Sequence, residues 1–226
     1  MIKTFLILVI LTNFLHSSQQ TIVIVSLDFN SSKAKLSCYE DGKKVLKTID
    51  VNIGTKGLGW GIGEFKLKQK KDEPTKKEGD KKAPAGVFKL TSTFGYAKKE
   101  NFDLKYIYLS KTLICVDDSK SKDYNKIIEM PKVKPKSFEQ MRRADKQYEL
   151  GIVVLHNENQ LRQAGSCIFL HVQKSKNAST AGCTSMSLDE MREINSWLDG
   201  SKNPILIQIP SSSLKEIKEL FPNLPL

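Results

Sequence analysis

Short runs of alternating or continuously apolar residues fill most of the chain, and they predict strands early and helices late. Residues 21–27 (TIVIVSL), 34–40 (AKLSCYE), 44–53 (KVLKTIDVNI) and 86–96 (GVFKLTSTFGY) have the β-branched content and period-2 alternation of strands. The glycine-rich stretch 57–63 (GLGWGIG) predicts a turn-rich break. Residues 137–149 are helix-prone, whereas 151–156 (GIVVLH) and 166–172 (SCIFLHV) read as two buried strands of one sheet. Ser187 with Glu190 three positions later forms a capping-box pattern for a helix running to about Leu198, closed by Gly200. Residues 203–210 add a final strand, and 212–221 read as a short terminal helix or docked tail. The predicted class is mainly β with α (α+β): a single mixed β-sheet domain with helices at its edges.

A chain of 226 residues is long enough for one well-buried domain. Its first residues divide off. Lys3, the apolar run from Phe5 and the small residues near Ser17 and Ser18 have the layout of a secretory signal, and the run is too short to span a bilayer comfortably. The expected organisation is therefore a signal peptide over 1–18 and one domain over 19–226, with no stable membrane insertion once the signal is removed.

The formal net charge of +11 suggests an anionic partner. Residues 66–82 hold eight lysines against four acids and almost no aromatics, the pattern of a solvated loop rather than of a nucleic-acid reader, and export also argues against nucleic acid. No CxxC pair and no His/Cys metal spacing occurs, so no metal site and no cofactor is expected.

The chemistry concentrates in residues 165–191, GSCIFLHVQKSKNASTAGCTSMSLDEM. His171 ends an apolar run, and Cys183 follows the small, flexible STAG segment. A cysteine attacks a carbonyl as thiolate, so it needs a nearby base that takes the proton and holds it as imidazolium. A strand-end histidine facing a loop cysteine supplies such a dyad; a packed core histidine and a buried thiol are the alternative. Four cysteines in an exported chain raise the question of disulfides. A free Cys183 leaves Cys38, Cys115 and Cys167 for at most one bridge, and Cys167, two residues from Phe169 in the same predicted strand, reads as a core residue.

IFLH, then TAGC, then a helix opening SLDEM resembles the YkuD-type L,D-transpeptidase catalytic domain. GDKKAPAGVFKL at 79–90 is similar to the family's glycine segment, and TFGYA, CVDDSKSKDYNKI, SFEQMRRADKQYELGIVVLHN and NPILIQI follow in the family's order. The chain departs from the common motif in a 12-residue step from His171 to Cys183, in Ala181 where a histidine is usual, and in Ser185 where Arg or Asn is usual.

The resemblance implies an acyltransferase with Cys183 as nucleophile and His171 as base. It would act on peptidoglycan stem peptides through a thioester, in the periplasm or cell wall, in wall biogenesis and cell shape. An L,D-carboxypeptidase or related amide hydrolase of the same fold, or an inactive wall-binding protein, are the other readings. The resemblance also implies the N–H groups of Gly182 and Cys183 as oxyanion donors, and a backbone carbonyl to orient His171, since Val172 offers no hydroxyl. Arg142 and Arg143 match a basic pair that would bind a substrate carboxylate, or else form a charged helix face. Thr180 is a contact near the loop or a plain turn residue. His156 either fills the space of the missing second histidine or has no part in the reaction.

Overall fold

The computed structural model describes residues 18–226. All of the expected signal segment except Ser18 lies outside the described residues. The strands in chain order are β1 (Gln20–Ser26), β2 (Lys33–Glu40), β3 (Lys43–Lys44), β4 (Ile49–Asn52), β5 (Leu58–Trp60), β6 (Ala83–Gly95), β7 (Tyr106–Tyr108), β8 (Leu113–Cys115), β9 (Ile127–Glu129), β10 (Glu139–Gln140), β11 (Leu150–Val154), β12 (Phe169–Val172), β13 (Thr184–Met186) and β14 (Ile205–Pro210). Among the described residues two α-helices accompany them, α1 (Leu188–Trp197) and α2 (Leu214–Leu220). Mainly β structure with edge helices is thus the architecture.

The principal sheet runs β1-β14-β6-β11-β12-β13-β4-β2-β3, and β1 also pairs with β2, so the path closes on itself as a barrel. Closure explains the burial of β1, which is parallel to β14 on one side and antiparallel to β2 on the other. In β2 the alternation is visible residue by residue: Lys33 and Lys35 face solvent while Ala34, Leu36 and Cys38 face inward. Inside lies a large, mostly aliphatic core of residues such as Ile22, Ile24, Leu36, Val87, Ile152, Leu170, Ile207 and Met191. Strands β8, β9 and β10 form a separate three-stranded sheet.

Helix α1 begins where its sequence signal placed it. Ser187 Oγ accepts the Glu190 N–H at 3.3 Å and the Glu190 carboxylate accepts the Ser187 N–H at 2.8 Å, so two otherwise orphaned donors are satisfied reciprocally. Its buried face carries Met191, Ile194 and Asn195.

Three expectations are corrected. Residues 137–149 are not a helix: the segment contains only β10 and turns, with Lys146 at φ +59°. Its side chains capture backbone groups that a helix would use, as when the Asp145 carboxylate accepts the Gln147 N–H at 3.2 Å. The glycine-rich stretch at 57–63 contains a strand, β5, because β6 is long enough to pair with it in parallel at Leu58↔Ala83. Cys167 is neither in a strand nor a plain core thiol: it stands at φ +54°, before β12 begins, and is disulfide-bonded to Cys115 across a separation of 52 residues. Cys38 and Cys183 are free and buried.

Candidate active site

Strand β12 carries His171 between β11 and β13, in register with Gly151 on one side and Ser185 on the other. Cys183 immediately precedes β13, which runs parallel to β12 and separates the cysteine from α1. The parallel pair thus delivers both side chains to one cavity of about 420 Å³, which is also lined by Thr180, Ala181, Gly182 and Arg143.

His171 is 4% exposed, and its Nδ1 lies 2.8 Å from the carbonyl oxygen of Val172. A carbonyl only accepts, so Nδ1 carries the proton and Nε2 is left as the basic nitrogen. The expected orienting carbonyl is therefore that of the next residue. Burial pushes the imidazole down to about 4, with the Val172 carbonyl opposing and the Arg143 charge reinforcing the shift. At neutral pH His171 is an uncharged ring able to take up a proton. Tyr148 packs against it edge-on, ring centroids 5.3 Å apart, within a box of Phe94, Tyr148 and Phe169.

The Cys183 Sγ accepts the Phe169 N–H at 3.4 Å and donates to the Cys167 carbonyl at 3.4 Å. In this resting arrangement the thiol proton is directed at Cys167, not at His171. Burial first, and then the Glu139 charge, push the thiol up to about 12, while the Phe169 N–H and the charges of Lys76 and Arg143 act in the opposite sense. The resting pair is neutral thiol and neutral imidazole. Hydrogen bonds of catalytic pairs are often long or misaligned without substrate.

The loop before Cys183 is tied down by Thr180. Its N–H donates to Ile53 O at 3.0 Å, its carbonyl accepts the Thr55 N–H at 2.9 Å, and its Oγ1 donates to Cys183 O at 2.6 Å. The same Oγ1 accepts the Gly182 N–H at 3.1 Å, so that expected oxyanion donor is turned inward onto Thr180. Gly182 sits at φ +151°, where a side chain would be strained.

The arginine pair separates. Arg143 lines the cavity, stacks 5.1 Å over Tyr148 and forks onto Asp145 at 2.9 and 2.6 Å. Arg142 points elsewhere: it donates to Leu109 O at 2.8 Å and Tyr96 O at 3.2 Å and lies 4.7 Å over the Tyr96 ring, so its donors serve the loop rather than the cavity. His156 is also removed from the cavity lining. It is 1% exposed, its Nδ1 accepts the Ile62 N–H at 3.2 Å, and its Nε2 donates to Ala164 O at 2.9 Å, so both ring nitrogens are occupied by backbone.

Sequence reasoning missed several cavity residues. Glu78, Asp117, Glu139, Tyr148 and Lys76 all line it. Glu139 holds the Tyr148 hydroxyl, and Glu78 holds the hydroxyls of Tyr124 and Ser166. Burial, assisted by the charges of Asp117 and Glu78, raises the Glu139 carboxyl above its ordinary value. No local signal marked these residues, because they come from three separate segments, 76–78, 117 and 139–148, that only the fold brings together. Lys76 corrects the reading of 66–82 as a solvated run: it is 5% exposed. Among the described residues no group of three or more His, Cys, Asp or Glu is arranged to hold a metal ion, and no helix is long and apolar enough to cross a membrane.

The L,D-transpeptidase catalytic domain matches residues 21–207, most of the chain, from β1 into β14. Comparisons with curated proteins and with solved structures found no match. With the model matched over that span, the chain belongs to the L,D-transpeptidase catalytic domain (YkuD) family, which acts on cell-wall peptidoglycan.

Proposed function

We propose that this protein is a cysteine-dependent peptidoglycan L,D-transpeptidase, exported by residues 1–18 and acting in the periplasm or cell wall. The observation that carries the reading is the Val172 carbonyl on His171 Nδ1, which leaves Nε2 basic in the same cavity as Cys183. On substrate binding the thiol turns from Cys167 O toward His171, which takes the proton. The thiolate forms the Sγ–C bond to the carbonyl joining an L-centre to a D-residue of a stem peptide, and the carbonyl pair moves onto oxygen. Collapse of that oxyanion expels the terminal D-residue's amine, which takes the proton from His171 and leaves a thioester. The amine of a second stem then attacks the thioester and regenerates the thiol.

The Cys183 N–H is the oxyanion donor, since Thr180 occupies that of Gly182. Thr180 holds the loop, and Arg143, whose Nε and Nη2 are engaged with Asp145, offers its remaining nitrogen to a substrate carboxylate. The test is incubation of the mature protein with purified tetrapeptide stems, followed by mass spectrometry. A Cys183 acyl adduct and cross-linked dimers are expected. Tripeptides without dimers would reassign the protein as a carboxypeptidase, and no adduct would leave it a wall-binding protein.

A further inference from the structure

Lys76 is the one lysine of the 66–82 run in the wall of the Cys183 cavity whose side chain is almost wholly buried, at 4% exposure. Burying an ammonium is costly unless it is paired, and its Nζ donates to Asp80 Oδ1 at 2.6 Å and to Lys77 O at 2.9 Å. Those bonds use two of its three N–H groups. The Asp80 carboxylate does not depend on it: Asp80 also accepts the Lys77 N–H at 2.7 Å and the Lys82 N–H at 2.9 Å, so the turn is closed by backbone donors.

Gly165 makes room for the lysine, and Gly182 lies beside it. A Cβ on Gly165 would stand 2.9 Å from Lys76 Cε, and a Cβ on Gly182 would stand 3.5 Å from Lys76 Nζ. Both have positive φ, +97° and +151°. The ammonium therefore sits near the backbone of the residue preceding the nucleophile, whose own N–H is turned onto Thr180.

We infer that Lys76 is a further catalytic residue, whose third N–H and fixed charge replace the missing oxyanion donor and stabilise the Cys183 thiolate. The inference rests on the transpeptidase reading for the oxyanion, but its effect on the thiolate stands apart from any substrate. The charge of Lys76 already opposes the rise in the Cys183 thiol. The other charged or titratable groups around the pair are Asp80, Glu78 and His156 near the lysine, Glu139, Arg143, His171 and Tyr148 around the cysteine, and Asp117 and Lys174 elsewhere in the cavity wall.

The test compares Lys76→Met and Lys76→Arg with the wild type in two assays. In the first, iodoacetamide alkylation of Cys183 is followed by peptide mass spectrometry across pH. Lys76→Met should slow it about tenfold at fixed pH and move the profile to higher pH, while Lys76→Arg restores it. In the second, acylation by stem peptide should fall about 10²–10³-fold in Lys76→Met with KM little changed, as for loss of an oxyanion donor. An unchanged alkylation profile in folded Lys76→Met, judged by circular dichroism, overturns the inference. Should Lys76→Met fail to fold, Lys76→Gln takes its place, and equal profiles for Gln and Arg overturn it likewise. A wild type that alkylates as described but is never acylated by stem peptides removes the transpeptidase reading and leaves the thiolate effect standing.

Discussion

The molecule contains two buried free thiols in two different regions. Cys38 lies on β2 in the aliphatic barrel core, opposite Ile22, and burial with the Glu193 charge pushes it up to about 12. Cys183 lies among Phe94, Tyr148, Phe169 and the Cys115–Cys167 bridge and is pushed to the same value. Resting proton affinity does not distinguish them. What distinguishes them is what each thiol can reach: Cys183 has a backbone donor on sulfur, a histidine of fixed tautomer, two cations and a cavity, and neither His171, Lys76 nor the cavity lies beside Cys38. On the proposed reading, the groups that can lower the barrier mark Cys183 as the nucleophile, not its unreacted pKa.

The sharpest way to break this contrast is to exchange the thiols' fates. Cys183→Ala should abolish acyl transfer and the acyl adduct, whereas Cys38→Ala should leave the rate within about twofold and cost roughly 1 kcal/mol of stability in chemical denaturation, a small cavity in a packed core. Retained transfer in Cys183→Ala would end the assignment. His171→Gln comes next, with an expected fall in kcat of about 10²–10⁴-fold, the usual worth of a positioned general base, and unaltered far-ultraviolet circular dichroism.

The bridge sharpens the comparison further, because the Cys167 carbonyl holds the Cys183 thiol. Cys115→Ser should lower stability by about 2–4 kcal/mol, read from the urea midpoint, and slow transfer as that carbonyl loosens. Equal activity with and without the bridge would show that the Cys183 end is held by the barrel alone.

The smallest effect expected is with pH. His156 and His171 are both held at about 4 in the folded protein, against an ordinary 6.5, chiefly by burial. Below 6.5 the unfolded chain binds protons that the folded chain refuses until about 4. Stability is therefore full above 6.5 and falls as pH drops toward 4. Melting temperatures over that range should decline, and less so in His156→Gln, provided that variant folds.

Much of the barrel was legible in the sequence because each strand declares its own period or apolar run: β14 falls within a predicted run, and β1, β2, β6 and β11 overlap theirs, starting one to three residues earlier. The capping box set the start of α1 for the same reason, since a cap is a contact over three residues. The segment 137–149 misled because its helix propensity was overridden by tertiary demands: Met141 and Tyr148 are buried in the aromatic core, and Arg142 is bound to the carbonyls of Tyr96 and Leu109, just past the ends of β6 and β7. The same limit governed Cys167, whose partner lies 52 residues away.

By itself the sequence determined the family, the strand content and the order of His171 and Cys183, because these are local in the chain or carried by ordered motifs. Only the tertiary structure decided which groups surround that pair. It turned His156 and Arg142 onto backbone carbonyls, set Arg143 in the cavity wall, joined Cys115 to Cys167, and chose Lys76 from eight lysines to be buried beside Gly182. The reason is physical: burial and electrostatic coupling depend on distances through space, and residues far apart along the chain acquire those distances only when the sheet closes.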